Sequence, residues 1–279
     1  MAFAHDLYEK SGIYPKVFLP KAYQSRYDVR ELLEGCQHLK EVSRASGFFL
    51  EILFRYKIFL KAASQLGFLI FENDEGFVIL EGVPSRNKRF LSLLVVSGFW
   101  QDWKYAQGSD GLFALELQEY IDTRVEAPTR VAVSGQVVVH IRRGDLLLRH
   151  NREIYGIVPL SSYRKILSQL EEIYPKTSII TVTDSPFEVS NEGAGEDFGL
   201  VLGPNSCDPW QVLKLMRNAN VAISANSTLS WWGAFIAART GALVYVPKPW
   251  YANFSTDSSD KKMYPQFRQY EACYQREGD

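Results

Sequence analysis

The sequence is poor in cysteine. Cys36, Cys207 and Cys273 are the only three in 279 residues. They are far apart, odd in number and form no C-x-x-C pair, which argues against a disulfide scaffold and against zinc-ligand spacing and fits a reducing compartment. Nor is there an excess of either charge: 31 Lys and Arg face 32 Asp and Glu, a net charge of −1. Nucleic-acid binders carry a basic excess, so no nucleic-acid partner is expected, and any bound anion must be met by a local cluster. Long uncharged apolar runs are missing too. The nearest, Phe48 to Phe71, is broken by Glu51, Arg55, Lys57 and Lys61, and a membrane span needs roughly 18–20 uninterrupted residues. It reads as a largely buried helix, with contact at a membrane face, through its basic residues, as the most it implies. The first residues, Met1-Ala2-Phe3-Ala4-His5-Asp6, show no basic region before an apolar run, so no signal peptide is expected. Neither G-x-G-x-x-G nor G-x-x-x-x-G-K-[ST] occurs, which removes dinucleotide oxidoreductases and P-loop enzymes. No D-x-D occurs, and with it goes the usual carboxylate pair for a divalent ion on a diphosphate.

What is present has the proportions of a globular protein, 46% hydrophobic and 23% charged residues, at a length suited to two moderate domains or one large one. A composition change at Pro128 to Gly135 suggests a first domain over 1–133 and a second over 134–279. The first reads as mainly helical, with helical spacing over Ala2–Lys10, Val29–Arg44 and Phe48–Leu66. Gly67–Phe71 and Gly76–Leu80 follow as a hairpin or two sheet strands. The second reads as α/β. Val137–Ile141, Ser178–Thr183, Val221–Ser224 and Ala242–Val246 have strand character, the last stopped by Pro247. Between them lie helical stretches over Leu160–Tyr174, from Asp208-Pro209 to Asn218, and over Leu229–Thr240. Asp208 is suited to an N-cap with Pro209 at the first helical position, and Gly241 to a C-terminal stop. Strands alternating with helices of this length imply βαβ units and a parallel sheet.

In an open parallel sheet, ligands sit beyond the carboxyl ends of the strands. All four strand ends here carry polar or unusual residues: His140-Ile141-Arg142-Arg143-Gly144-Asp145, Asp184-Ser185-Pro186, Ala225-Asn226-Ser227-Thr228 and Pro247-Lys248-Pro249-Trp250. Alternation puts His140 and Arg142 on one face of the first strand, Ile141 and Arg143 on the other. The arginine fork suits phosphate oxygens. Asn226-Ser227-Thr228 precedes a helix whose N-terminal N–H groups and dipole attract an anion. Asp184 can accept from a purine edge or bind ribose hydroxyls. Together these describe a nucleoside diphosphate site, expected to work without a metal. Trp231 and Trp232 read as packing residues.

His140-x-Arg142-Arg143-x-Asp145 resembles the H-x-R-R-x-D motif shared by α1,2-, α1,6- and protein-O-fucosyltransferases. Ser224-Ala225-Asn226-Ser227-Thr228-Leu229-Ser230-Trp231-Trp232-Gly233-Ala234 is similar to the second signature of the α1,2-fucosyltransferases, glycosyltransferase family eleven. Ser97 to Tyr105 and Pro247-Lys248-Pro249-Trp250-Tyr251 add weaker likenesses. The resemblance implies a two-domain fold of the glycosyltransferase B type, whose C-terminal Rossmann-like domain holds the donor. It also implies inverting transfer from GDP-fucose to the 2-hydroxyl of a terminal β-galactoside, with no cofactor and no metal. By position Arg142 would bind the diphosphate, His140 and Asp184 the guanosine portion, and Asn226, Ser227 and Thr228 would sit at the phosphates. Arg143, on the opposite face, would brace Asp145 or the loop. Asp145 is the candidate for the base that takes the acceptor proton, with His5 and Asp102 as alternatives. Family members begin with a Gly-x-Leu-Gly-Asn-Gln loop, and Met1 to His5 resembles the stretch immediately after it. The expectation is therefore that either translation starts upstream or a donor-contacting loop is missing.

Secretory-pathway relatives carry a signal anchor, and with none expected here the reading is a bacterial polysaccharide or O-antigen pathway, a cytoplasmic place with at most peripheral contact at the inner membrane, and an acceptor that is lipid-linked or free. Two alternatives stay open: transfer of another GDP-sugar, and an inactive relative that only binds nucleotide or glycan.

Overall fold

The computed structural model describes residues 16–17, 40–41, 69–73, 76–77, 95–97, 103–107, 112–129, 131, 136–191, 197–253, 260 and 262–274. The chain divides into two units, residues 1–117 and 118–279.

In the first unit, β1 (Lys16–Val17) pairs in parallel with β2 (Lys40–Glu41). Lys40 and Glu41 fall within the stretch Val29–Arg44 whose spacing suggested a helix; they are extended, because pairing with a distant strand overrides a local pattern. The rest of that stretch, Ala2–Lys10 and Phe48–Leu66 lie outside the described residues, as do His5 and Asp102. The two apolar segments form the hairpin the sequence indicated: β3 (Leu69–Asn73) and β4 (Gly76–Phe77) are antiparallel, with Asn73 opposite Gly76. On its other edge β3 runs parallel to β5 (Val95–Ser97), with Leu69 opposite Val95. Two helices follow, α1 (Trp103–Gln107) and α2 (Leu112–Arg124), the second of which belongs to the second unit from Gln118 onward.

The second unit is built on one parallel sheet. Its strands are β6 (Val137–Ile141), β7 (Ile179–Thr183), β8 (Leu200–Leu202), β9 (Val221–Ile223), β10 (Leu243–Lys248) and β11 (Arg268–Glu271). The spatial order is β11-β10-β9-β6-β7-β8, and every neighbouring pair is parallel. The chain starts in the middle, winds to one edge, returns and winds to the other, which is the strand order of a Rossmann sheet. The sequence reversal between β6 and β9 is therefore the switch point, the place where the connections leaving two adjacent strands part and open sheets of this kind hold their ligands.

The linking helices are α3 (Arg149–Tyr155), α4 (Leu160–Leu170), α5 (Pro186–Val189), α6 (Pro209–Asn218) and α7 (Thr228–Arg239). One face of β6 contributes Val137, Val139 and Ile141 to a core with Leu160, Tyr163, Ile166, Leu167 and Leu170 of α4. The helical spacing of those α4 residues is what gives the helix a buried side. The helix stops at Leu170, short of the anticipated Tyr174: Ile173 and Tyr174 both donate their N–H to the Leu170 carbonyl, and Pro175 disfavours helical geometry at the residue before it.

α6 opens as the sequence suggested. Asp208 accepts from the Gln211 N–H while the Gln211 side chain accepts from the Asp208 N–H, and Pro209 occupies the first turn. This reciprocal box satisfies two otherwise unpaired donors. α6 packs closely on α7 at Gly233, where a Cβ would come within 2.5 Å of the Met216 sulfur. The same helix fastens the second half of α2: Lys214 Nζ donates to the carbonyls of Ile121 and Val125, and Arg217 pairs with Asp122 at 2.8 Å.

One expectation is corrected at β10. Pro247 does not end the strand; pairing with β11 continues through Pro247 opposite Tyr270 to Lys248 opposite Glu271. In a parallel strand, alternate residues direct their backbone groups to opposite neighbours. Leu243 and Tyr245 face β9, so Pro247 does as well. By then β9 has ended, and the missing proline N–H interrupts no ladder.

Candidate functional site

The four polar clusters lie on β7, β6, β9 and β10, which are consecutive in the sheet. With strands about 4.8 Å apart, their carboxyl ends span about 15 Å. Only β6 and β9 flank the switch point itself.

Arg142 crosses it. Leaving β6, its Nη1 donates to the Asn226 carbonyl beyond β9 at 2.9 Å. On its other side Nε and Nη2 donate to the two Asp145 oxygens at 3.1 and 2.8 Å. The fork is possible because residues 144–147 form a 3-10 turn that brings Asp145 back beneath the arginine three positions earlier. A guanidinium carries five N–H donors. The three described bonds leave one on Nη1 and one on Nη2. The guanidinium carbon lies over the Tyr155 ring, 5.2 Å from its centroid.

Arg143 takes the opposite course, as alternation requires. It is buried, 3% exposed, and its Nη1 donates to the carbonyls of Val158 and Arg142 at 2.9 and 3.2 Å. Of the two partners anticipated for it, it braces the loop, and Asp145 belongs to Arg142 instead. The physical reason is direction: a residue facing the α4 side of the strand cannot reach a carboxylate that the 3-10 turn places under the other face.

Asp184, exposed at the end of β7, accepts the Arg143 N–H at 2.7 Å. It approaches the β6 loop so closely that a Cβ on Gly144 would come within 2.9 Å of its carboxyl carbon. The glycine permits the contact. His140 sits one register step inside, opposite Val182 on β7. It is 7% exposed, and its Nδ1 is buried without a hydrogen-bond partner among the described residues. Burial, and secondarily the Arg142 charge, push its pKa down to about 4, so the ring is neutral at pH 7.

The turn after β9 is held by neutral groups. Ser230 Oγ accepts from the Ala225 N–H at 2.9 Å and meets Ser224 Oγ at 3.0 Å. Tyr270 donates to the Ser224 carbonyl at 2.7 Å. The Asn226 side chain, 1% exposed, points back: its Nδ2 donates to the carbonyls of Tyr155 and Gly156 at 2.7 and 3.3 Å. What Asn226 turns toward the crevice is its backbone. Ser227 is the N-cap of α7 and makes no side-chain capping bond; with exposed Thr228 it marks a helix terminus that directs its dipole and first-turn N–H groups beyond β9. Trp231 is buried, donates to the Lys262 carbonyl at 2.7 Å and stacks on Phe235 at 5.2 Å, a packing residue as the sequence indicated.

At β10, Trp250 is buried and Tyr274 donates to the carbonyls of Pro249 and Trp250. Tyr251 brings its ring to 5.6 Å from that of Tyr155. Sequence reasoning missed Tyr155. The available signal was Gly156, whose positive φ of 69° ends α3 and fixes where the last helical side chain points.

Comparison with known proteins converges on one group. The sequence pattern described as Glycosyl transferase family 11 matches residues 81–267. The chain is 30% identical over 116 residues to the O-antigen biosynthesis glycosyltransferase WbnK of Escherichia coli, covering 41% of this chain and 38% of that protein. It is 27% identical over 174 residues to an alpha-1,2-colitosyltransferase of Escherichia coli, covering 58% of each. It is 26% identical over 180 residues to galactoside alpha-(1,2)-fucosyltransferase 1 of Leontocebus fuscicollis, covering 60% of this chain and 47% of that one. The matches thus span between 38% and 58% of these relatives' lengths.

Proposed function

The chain belongs to glycosyl transferase family 11, and on that premise we propose that it transfers fucose from GDP-fucose to the 2-hydroxyl of a terminal galactoside, with inversion and without a metal. The observation that carries the reading is Arg142, fixed across the switch point with one N–H left on each terminal nitrogen. A cation held there, beside the N-terminus of α7, suits a diphosphate whose charge grows as it departs.

The chemistry required is a single displacement. The acceptor hydroxyl oxygen bonds to the sugar's anomeric carbon from the face opposite the leaving group, and the electron pair of the breaking C–O bond stays on the β-phosphate of GDP. The hydroxyl proton goes to a base. Arg142 and the α7 N–H groups stabilise the departing diphosphate; they take the place of a divalent ion, in keeping with the missing D-x-D. Neutral His140 and exposed Asp184, lying on the β6–β7 side of the crevice, suit the guanosine portion, and Asn226, Ser227 and Thr228 the phosphate end. Asp145 orients Arg142 with both oxygens; to serve as the base it would release one of them.

A second reading concerns the sugar. One relative is named for colitose and another for fucose, while both names specify a 1,2 linkage. The donor is therefore tested as a panel of GDP-sugars. GDP and GDP-fucose are titrated calorimetrically into the chain with EDTA present, followed by assay of GDP release on adding a β-galactoside. Binding with turnover supports the full reading. Turnover of a different GDP-sugar replaces fucose. Turnover that disappears with EDTA and returns with a divalent ion refutes metal independence. GDP binding without turnover of any donor favours a binding relative.

A place near membrane-borne acceptors fits the O-antigen relative. Among the described residues, no helix is long and apolar enough to cross a membrane.

A further inference from the structure

Arg142 is held along its edges by Asp145 and by the Asn226 carbonyl. The fork and the carbonyl bond set the guanidinium plane, but the Asp145 side chain that makes the fork is 51% exposed, and the Tyr155 ring adds a further restraint, with the guanidinium carbon 5.2 Å from its centroid. Tyr155 is itself tied to the same group of residues. Its backbone carbonyl accepts from Asn226 Nδ2 at 2.7 Å, and Asn226 through its own carbonyl accepts from Arg142 at 2.9 Å. Arg142, Asn226 and Tyr155 thus form a closed ring of contacts drawn from the end of β6, the turn after β9 and the end of α3. Gly156 makes the placement possible: its φ is 69°, and a Cβ there would collide with the Tyr274 ring and the Ala252 side chain.

We propose that Tyr155 is a positioning residue whose ring backs the Arg142 guanidinium and so keeps the two remaining N–H groups aimed at a bound phosphate. The inference rests on the reading of Arg142 as a phosphate contact. It requires the aromatic face and not the phenol, since no hydrogen bond of the Tyr155 hydroxyl is part of the ring of contacts. Tyr251 packs against Tyr155, its ring 5.6 Å away and tilted by 46°.

Inorganic diphosphate and GDP are titrated into the wild-type chain, Tyr155→Phe, Tyr155→Leu, Arg142→Ala and the Arg142→Ala/Tyr155→Leu double variant, with thermal melting of each. A cation–π contact of about 0.5–2 kcal/mol corresponds to about 2- to 30-fold in affinity. Tyr155→Leu is expected to weaken both ligands by a factor in that range, and Tyr155→Phe to keep both within about twofold. In the Arg142→Ala background Tyr155→Leu is expected to add nothing, because Tyr155 acts through the arginine; a merely structural residue would still show its cost there. In turnover, Tyr155→Leu lowers kcat as well as raising KM, since the same aim serves the departing diphosphate. Equal losses in Phe and Leu, no loss in Leu, or a full loss persisting without Arg142 each overturn the proposal. Diphosphate bound with the expected variant pattern, but GDP bound no more tightly than diphosphate, refutes the nucleotide reading and leaves Tyr155's role standing. A folded wild-type chain that binds neither refutes both.

Discussion

Two segments meet at the switch point, and they are held by different physics. The loop after β6 is a network of charge: Arg142 on Asp145, Asp184 on the Arg143 N–H, and buried Arg143 on two carbonyls. The turn after β9 is a network of neutral groups: two serine hydroxyls, an asparagine amide and backbone carbonyls. The first is partly open to water, with the Asp145 side chain 51% exposed, while Ser224, Ala225, Asn226 and Ser230 of the second are buried. The charged loop offers a ligand what an anion needs, and its contacts are screened by salt and sensitive to pH. The neutral turn offers a rigid support whose geometry is indifferent to either. If this division of labour holds, damage to the loop appears first in binding, and damage to the turn appears first in stability.

The largest expected effect is on the loop. Arg142→Ala removes the cation at the switch point and leaves the core contacts of β6 intact. Turnover of the GDP-sugar falls by about 100- to 1000-fold, the range seen when one preorganised donor to a developing negative charge is lost. The melting temperature moves little. Near-normal turnover in this variant would refute the mechanism, and a large drop in melting temperature would show that the loop bears on stability after all.

His140 gives the next effect, and it sharpens the pH side of the contrast. Its folded pKa is depressed to about 4, whereas an unfolded histidine titrates near 6.5. Between these values the unfolded chain binds the extra proton, so stability is complete above about pH 6.5 and is lost progressively down to about pH 4. The full cost, about 2.5 pKa units, is on the order of 3 kcal/mol. Melting temperatures from pH 8 to pH 4 are expected to fall less steeply in His140→Gln than in the wild-type chain. Parallel curves would mean that the ring is not the buried base the geometry describes.

How far the sequence showed these two segments follows from the range of the interactions. The β-branched run of β6, the Asp208–Gln211 box and the gathering of polar residues at strand ends are local patterns, and they were readable. β8 and β11 were not. Each is an edge strand, and Arg268-Gln269-Tyr270-Glu271 has too little apolar alternation to betray a strand that pairs on one side only. Pro247 misled because the rule that proline stops a strand depends on whether a neighbour is present on the side it faces. At the site, Arg142 was legible as a strand-end arginine. Its partner Asp145 was not, because the pairing depends on a 3-10 turn; nor was the backward turn of the Asn226 amide, which depends on where α3 ends.

The smallest effect comes from the buried turn, and it isolates what the neutral network does. Ser230→Ala removes the acceptor for the Ala225 N–H and the neighbour of Ser224 Oγ. Ser230 is fully buried, so water does not replace the lost acceptor, and an unsatisfied buried donor costs about 1–3 kcal/mol. Chemical denaturation should show that loss with no dependence on salt, since no charge is involved. GDP affinity, measured well below the melting temperature, should stay within about threefold of wild type, because the variant keeps the Arg142 and α7 N-terminal groups that the proposed function assigns to the diphosphate. Ser230→Cys, with a weaker acceptor in the same place, should fall between the two. A loss of GDP affinity as large as that of Arg142→Ala would mean that the buried Ser224–Ser230 network governs ligand binding as strongly as the cation does, and the separation between a binding loop and a supporting network would fail.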